Sequence, residues 1–322
     1  MKLKLMTLVL CLTIFISLNL QAQPVKKHGF LSVKGIQLTD EHGNATVLNG
    51  ISYGWHNWWP RFYNQESVKW LATDWKCSVV RAAMGVDPQS GYIDKPDWSK
   101  EKVEAVIQGA IKNDIYVLID WHSHTIKLEE AKMFFADMAH KYGKQPNVIY
   151  ELFNEPVKDS WPMVKEYSIE LIKTIRAIDP DNIILVGSPH WDQDIHLVAD
   201  DPIVDYSNIM YTCHFYAGTH GKFLRDHCDY ALKKGIPIFI SESAGMEASG
   251  DGAINYPEWQ NWIDWCTTNK ISLITWSVAD KNESCSMLKT NASSEGNWKT
   301  EDMKESGIKT RELLRKLSGN NE

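Results

Sequence analysis

The chain has 322 residues and a net charge of −7, with no long basic run. This balance excludes a nucleic-acid partner, and the length is enough to bury a large core. No Pro/Ser/Gly-rich linker or low-complexity run divides the sequence, which predicts one domain without an appended binding module.

Residues 1–22 read as a signal peptide. Lys2 and Lys4 precede an almost wholly apolar stretch from Leu5 to Leu20, and Ala22 offers a small residue before a cut at Gln23. The apolar core is short for a membrane anchor, and polar Gln21 and Gln23 follow it. Cys11 lies behind bulky Leu10, which argues against lipid anchoring. The expectation is a secreted or periplasmic protein, with residues 23–322 as the mature domain and no membrane association after cleavage. Five cysteines remain: Cys77, Cys213, Cys228, Cys266 and Cys285. None has C-x-x-C spacing, so zinc and thioredoxin-like readings fail, and the spacing predicts no particular disulfide.

The elements then alternate. Phe30 to Leu38 and Thr46 to Leu48 predict a hairpin turned at Glu41-His42-Gly43-Asn44. A strand runs to Ile51-Ser52-Tyr53, and a helix covers Ser67 to Lys76. The next strand is Ser78 to Met84, and Ser99 to Asn113 is an amphipathic helix. A strand from Ile115 to Trp121 and a helix to Tyr142 come next. Val148 to Phe153 is a buried strand that ends in Asn154-Glu155-Pro156, because proline cannot continue the ladder. Further strands are Ile183 to Gly187, Ile209 to Phe215, Ile236 to Ser241 (ending in Glu242) and Ser272 to Trp276. Helices occupy the intervals, including Trp161 to Ile178, Pro257 to Thr268 and Thr310 to Leu317. This predicts an α/β fold, a (β/α)8 TIM barrel with an N-terminal β-hairpin. An open doubly wound sheet would need a nucleotide-type Gly-rich turn, and the sequence has none.

Two strands each deliver a glutamate at the C-terminal end, where barrel enzymes carry their chemistry. Glu155 and Glu242 therefore form a candidate carboxyl pair of the kind that cleaves glycosidic bonds. One is protonated to donate to the leaving oxygen and the other is ionised. Glu151, mid-strand, is expected to pair with a cation or hydroxyl inside the barrel. Arg81, inside an apolar strand, needs a carboxylate; Glu242 is the natural candidate, and a structural ion pair elsewhere in the barrel is the alternative. His122 and His124 point to one side of an extended segment, which raises metal binding. No third ligand follows at a recognisable spacing, and hydrogen-bonding histidines are the reading preferred. Tyr216 either hydrogen-bonds the nucleophile or is a core tyrosine. His214 either approaches the sugar or Glu155, or is a buried, satisfied histidine. The 14 tryptophans are either core or platforms for sugar rings.

The ordered set of Arg81, Asp120-Trp121-His122, Asn154-Glu155-Pro156, His214-x-Tyr216, Glu242 and Trp276 resembles glycoside hydrolase family five. The stretches Val186 to Asp194 and Trp276 to Glu283 are most similar to its bacterial endo-β-1,4-glucanase (cellulase) branch. The resemblance implies a retaining endoglucanase acting on a β-glucan polysaccharide as a monomer, with no metal and no cofactor. It implies Glu155 as acid and then base, Glu242 as nucleophile, and Asn154 on the 2-hydroxyl. Arg81 and Tyr216 would fix the nucleophile, while His122, His214 and Trp276 line the reacting subsite. Lys281 and Glu283 would bind sugars on the non-reducing side, with Trp191 on the leaving-group side. The family usually has tryptophan after the nucleophile, whereas here Ser243-Ala244-Gly245 follow. The substrate-binding histidine of many relatives has no single equivalent among Tyr53, Trp55 and His56. Of Trp58 and Trp59, either one stacks on a distal sugar or both are core. The same scaffold serves β-mannanases, mixed-linkage glucanases and xyloglucanases. A different class, an inactive carbohydrate-binding protein, would be expected to lack one of the two carboxylates, and a metal hydrolase would use His122, His124 and His214.

Overall fold

A computed structural model describes residues 23–319. The expected signal peptide, residues 1–22, lies outside them. After a short helix (Pro24–His28) comes an antiparallel hairpin, β1 (Ser32–Lys34) and β2 (Gln37–Thr39), in register Val33 opposite Leu38. Eight parallel strands follow: β3 (Asn49–Tyr53), β4 (Val79–Gly85), β5 (Tyr116–His122), β6 (Val148–Glu151), β7 (Ile184–Val186), β8 (Ile209–Tyr216), β9 (Ile238–Ala244) and β10 (Leu273–Val278). They pair in chain order, and β10 closes on β3. This is the (β/α)8 barrel.

The two-residue period of the strands sorts their side chains into two sets. On β4, Val80, Ala82 and Met84 join the large core shared with the surrounding helices, as do Val117, Ile119 and Trp121 on β5. The alternate residues face inward. At the lower end Val79, Leu118, Ile149, Leu185, Met210, Phe239 and Ile274 form a separate apolar plug, capped by Leu31 and Leu38 of the hairpin. Two residues further along the strands the same rows carry Arg81, Asp120, Glu151, Thr212 and Ser241, all fully buried. The polar layer therefore sits directly on the plug, on the side of the strands' C-terminal ends.

Three expectations need correction. The hairpin turns at Gly35, which has φ +61°, rather than at 41–44. Asp40–Asn44 forms a second turn, in which the Asp40 carboxylate accepts the backbone N–H groups of His42 and Asn44. The helix expected to start at Ser67 starts at Gln65, because the Asn64 side chain caps it by accepting Ser67 N–H at 2.9 Å. The regular part of β6 ends at Glu151, so Asn154 and Glu155 lie past the strand. Their backbone N–H groups donate to the carbonyls of Trp121 and Ser123, which still aligns them with the end of β5.

Candidate active site

Arg81 is the centre of the polar layer. Its Nε and Nη2 donate to the two oxygens of Glu151 at 2.7 and 3.2 Å, and Nη1 donates to Glu242 Oε2 at 2.8 Å. Nη2 also reaches Asn154 Oδ1 at 2.6 Å and Asp120 Oδ2 at 3.0 Å. A buried cation surrounded by three carboxylates is stable only as a complete network. Glu151 has the cation and hydroxyl partners expected of it, since Ser241 Oγ donates to it at 2.7 Å. Glu242 takes a second donor, Tyr216 Oη, at 2.7 Å on its other oxygen. Because Arg81 engages the oxygen of Asn154, the amide orientation is set. The buried Nδ2 of Asn154 is left without a protein partner.

Glu155 is held differently. Its Oε1 lies 3.0 Å from His214 Nδ1 and its Oε2 lies 3.3 Å from His124 Nε2. Burial works to raise its pKa, but the hydrogen bonds and charge of His124 and His214 prevail and hold it below the ordinary carboxylate range. His214 shows the reciprocal effect. Burial would depress it, but the carboxylates of Asp192, Glu151, Glu155 and Glu242 hold it well above the usual range.

The tautomer follows from the neighbours. Ser241 spends its proton on Glu151, so its oxygen accepts from His214 Nε2–H at 2.9 Å. Only the proton between His214 Nδ1 and Glu155 is then free to change sides.

His122 is neutral by contrast, lowered by burial and by Arg81. Its Nδ1–H donates to Asp120 Oδ2 at 2.6 Å. Its ring stacks parallel to Trp276 at 5.2 Å and takes Trp55 edge-on at 4.2 Å. Trp55 also meets His124, at 5.6 Å. The histidines at 122 and 124 thus flank one indole, but their polar partners differ.

Tyr53 and His56 turn away from this cluster. Tyr53 bonds Ser67, while His56 bonds Ser99 and accepts the backbone N–H of Gly85. Trp55 is therefore the residue of that stretch at the mouth. Trp59 packs on the core, and Trp58 is half exposed with its ring 5.0 Å from Trp55. Trp191 is exposed at the opposite side, on three successive left-handed residues, His190 to Asp192. Its backbone N–H donates to Pro156 carbonyl at 3.0 Å, next to Glu155. Lys281 and Glu283 form an ion pair on the segment after β10. The Ser277 N–H donates to Cys285 carbonyl, and Cys285 packs with Trp276, so this segment reaches the mouth. The five described cysteines are free and buried; Cys213 and Cys228 approach to 3.5 Å.

One ligand atom each from Glu155, His214 and Glu242 lies within 4.8 Å of the others. The two carboxyl groups are thus at the close spacing of a retaining pair. The three atoms also fit the spacing of a metal site, but Glu242 is already neutralised by Arg81 and its second oxygen is taken by Tyr216.

Residues 39–282 match the profile described as Cellulase (glycosyl hydrolase family 5). The chain belongs to glycosyl hydrolase family 5. Its relatives include an endoglucanase of Clostridium saccharobutylicum, 44% identical over 87% of this chain and 64% of that protein. Endoglucanase 5 of Pectobacterium carotovorum is 43% identical over 92% of this chain and 59% of that protein. The chain therefore spans about three fifths of the length of these two curated relatives. A solved structure from Cytophaga hutchinsonii superposes with TM-score 0.91 at 43% identity, covering 93% of this chain and 98% of that one. The catalytic domain of a Thermobifida fusca endoglucanase superposes with TM-score 0.86 at 32% identity, over 91% of this chain and all of the other.

Within this family 5 chain, the cluster joins Arg81, Asn154, Glu155, His214, Tyr216, Glu242, His122 and Trp276. Trp191, Lys281 and Glu283 lie toward its rim. Sequence reading gave no role to Asp120 or Ser241 and missed the His124–Glu155 contact. Their signals were present: Asp120 two residues before His122 on one strand face, and Ser241 immediately before Glu242.

Proposed function

We propose that the chain is a retaining endo-β-1,4-glucanase working by double displacement. The observation that carries this is the contrast between two neighbouring carboxylates, Glu242 bound by Arg81 and Tyr216 and Glu155 bound by two imidazoles. Glu242 attacks the anomeric carbon. Arg81 and Tyr216 direct its oxygens and give up no proton to it. Glu155 protonates the leaving oxygen, taking the proton it shares with His214 as the sugar displaces water and disfavours separated charge. The bond to the leaving sugar breaks as the bond to Glu242 forms. Glu155, now a carboxylate, removes a proton from water, which releases the sugar with retained configuration.

Substrate placement follows the same geometry. Asn154 Nδ2, buried and unpartnered, donates to the 2-hydroxyl. Trp276 and His122 line the reacting subsite, Lys281 and Glu283 hold sugars on the non-reducing side, and Trp191 stacks on the leaving-group side. Endoglucanases among the relatives, and the Thermobifida fusca domain solved in complex with cellotetraose, support a β-glucan substrate. The leader-like residues 1–22 support export, and among the described residues no helix is long and apolar enough to cross a membrane. The protein is read as a monomer that needs no metal or cofactor for this reaction.

The test is hydrolysis of soluble carboxymethyl cellulose beside β-mannan, with proton NMR of the first product. Release from the cellulose with the β-anomer formed first is expected. Initial α-anomer would overturn the mechanism, and preference for mannan would overturn the substrate.

A further inference from the structure

A second group of ligand-bearing side chains lies outside the cleft, where the segment after β7 meets two helices. Asp194 precedes the helix Ile195–Asp200, which carries His196, and His227 lies on the helix Lys222–Lys233. One ligand atom from each lies within 4.8 Å of the other two, and all three side chains are half-buried. The two imidazole centroids are 4.0 Å apart, tilted by 45°. The ring nitrogens are not spent on each other. His227 Nδ1 lies 3.2 Å from the carbonyl of Gln193, which can only accept. Nδ1 therefore carries the hydrogen, and the lone pair is on Nε2. A backbone carbonyl that orients the far nitrogen of a histidine is the usual outer-shell device of a metal site. His196 Nδ1 is out of water and has no hydrogen-bond partner.

We propose that Asp194, His196 and His227 form a binding site for a divalent transition-metal ion of the zinc class. Two imidazoles and one carboxylate suit zinc, nickel or copper, whereas calcium and magnesium require more oxygen. Zinc–nitrogen bonds of about 2.0–2.1 Å bring donors to roughly 3.3 Å of one another, so modest side-chain rotations close the site. Three protein ligands leave a position for water. His190 Nδ1 stands 3.8 Å from Asp194 Oδ1, at the edge of the group. A bound ion ties the 188–194 segment, which carries Trp191, to both helices. The site is distinct from the cleft: it shares no residue with the Glu155, His214 and Glu242 group.

The test is calorimetric titration of the full chain, freed of metal with EDTA, using Zn2+ and, separately, Ca2+. One saturable equivalent of Zn2+ and none of Ca2+ is expected, with Tm rising by about 2 °C or more at saturation. His196→Gln and His227→Gln should each lose that equivalent and the Tm rise while keeping metal-free activity on carboxymethyl cellulose. Glu155→Gln should retain it. Absence of saturable Zn2+ binding in the wild type overturns the proposal. So does unchanged stoichiometry in both histidine variants, and so does loss of the equivalent in Glu155→Gln, which would place the ion in the cleft.

Discussion

Glu242 and Glu155 are chemically identical side chains within one mouth, and their neighbours divide them. Around Glu242 stand a guanidinium and a phenol, groups that do not exchange a proton at working pH. Around Glu155 stand His214 and His124, the one side-chain type whose ordinary pKa lies near neutrality. The first environment suits a group that must stay ionised and aimed. The second suits a group that must gain and lose a proton once per cycle. The difference teaches that role follows from the partners' chemistry. Like-charge repulsion between the two carboxyls would raise a carboxyl pKa, and it is His124 and His214 that hold Glu155 below its usual range.

The sharpest break in this comparison is Glu242→Gln. The amide keeps the size and one acceptor for Arg81 but cannot attack, so kcat should fall on the order of 10⁴-fold or more. Sugar binding, read by calorimetry with a cello-oligosaccharide, should survive. Near wild-type turnover would end the assignment of nucleophile. Glu155→Gln should lose about 10²–10⁴-fold on polysaccharide, the usual range for removing a general acid. On an aryl cellobioside whose phenolate leaves without a proton, formation of the glycosyl-enzyme should be nearly unimpaired in that variant. An equal loss on both substrates would mean that Glu155 does not protonate the leaving oxygen.

How far the sequence shows this contrast depends on the physics of each residue. Arg81 and Glu151 were readable because a charge inside a β-branched strand demands a partner; they meet each other, and Arg81 also meets Glu242. The barrel was readable because strand and helix patterns alternate along the whole chain. Glu155 was readable as a strand-end glutamate although the ladder stops four residues earlier, since the backbone keeps following β5. His124 was not. Spacing places it on the same side as His122, but cannot show that one ring turns to Asp120 and the other to Glu155. The hairpin turn was misplaced for a similar reason, as two glycine-bearing turns lie within ten residues and either can close it.

Trp191 sharpens the comparison in space. Its backbone bond to Pro156 sets it beside Glu155, the proposed acid, while Trp276 and the Lys281–Glu283 pair belong to β10 and the segment after it. Trp191→Ala should raise KM about tenfold on long β-glucan, since an aromatic contact is worth roughly 0.5–1.5 kcal/mol beyond its area. An aryl cellobioside places no sugar on the leaving side, so its KM should not move. An equal rise on both substrates would remove Trp191 from that side.

The smallest expected effect tests the comparison most directly. The bond from His124 to Glu155 favours the ionised carboxyl. The pKa of His124 is itself raised: burial opposes this, and the hydrogen bond and charge of Glu155 outweigh it. In His124→Ala both the bond and that charge are gone, so the Glu155–His214 pair holds its proton more tightly. The acid works only while the proton is present, so the basic limb of kcat/KM should move to higher pH, by about half a unit or more. The acidic limb should shift less. At a pH above the wild-type limb the variant is then the faster enzyme, by about threefold for half a unit. A merely structural His124 would lower activity at every pH and move neither limb. A basic limb displaced downward would show that His124 helps Glu155 keep its proton, the reverse of the role its geometry assigns.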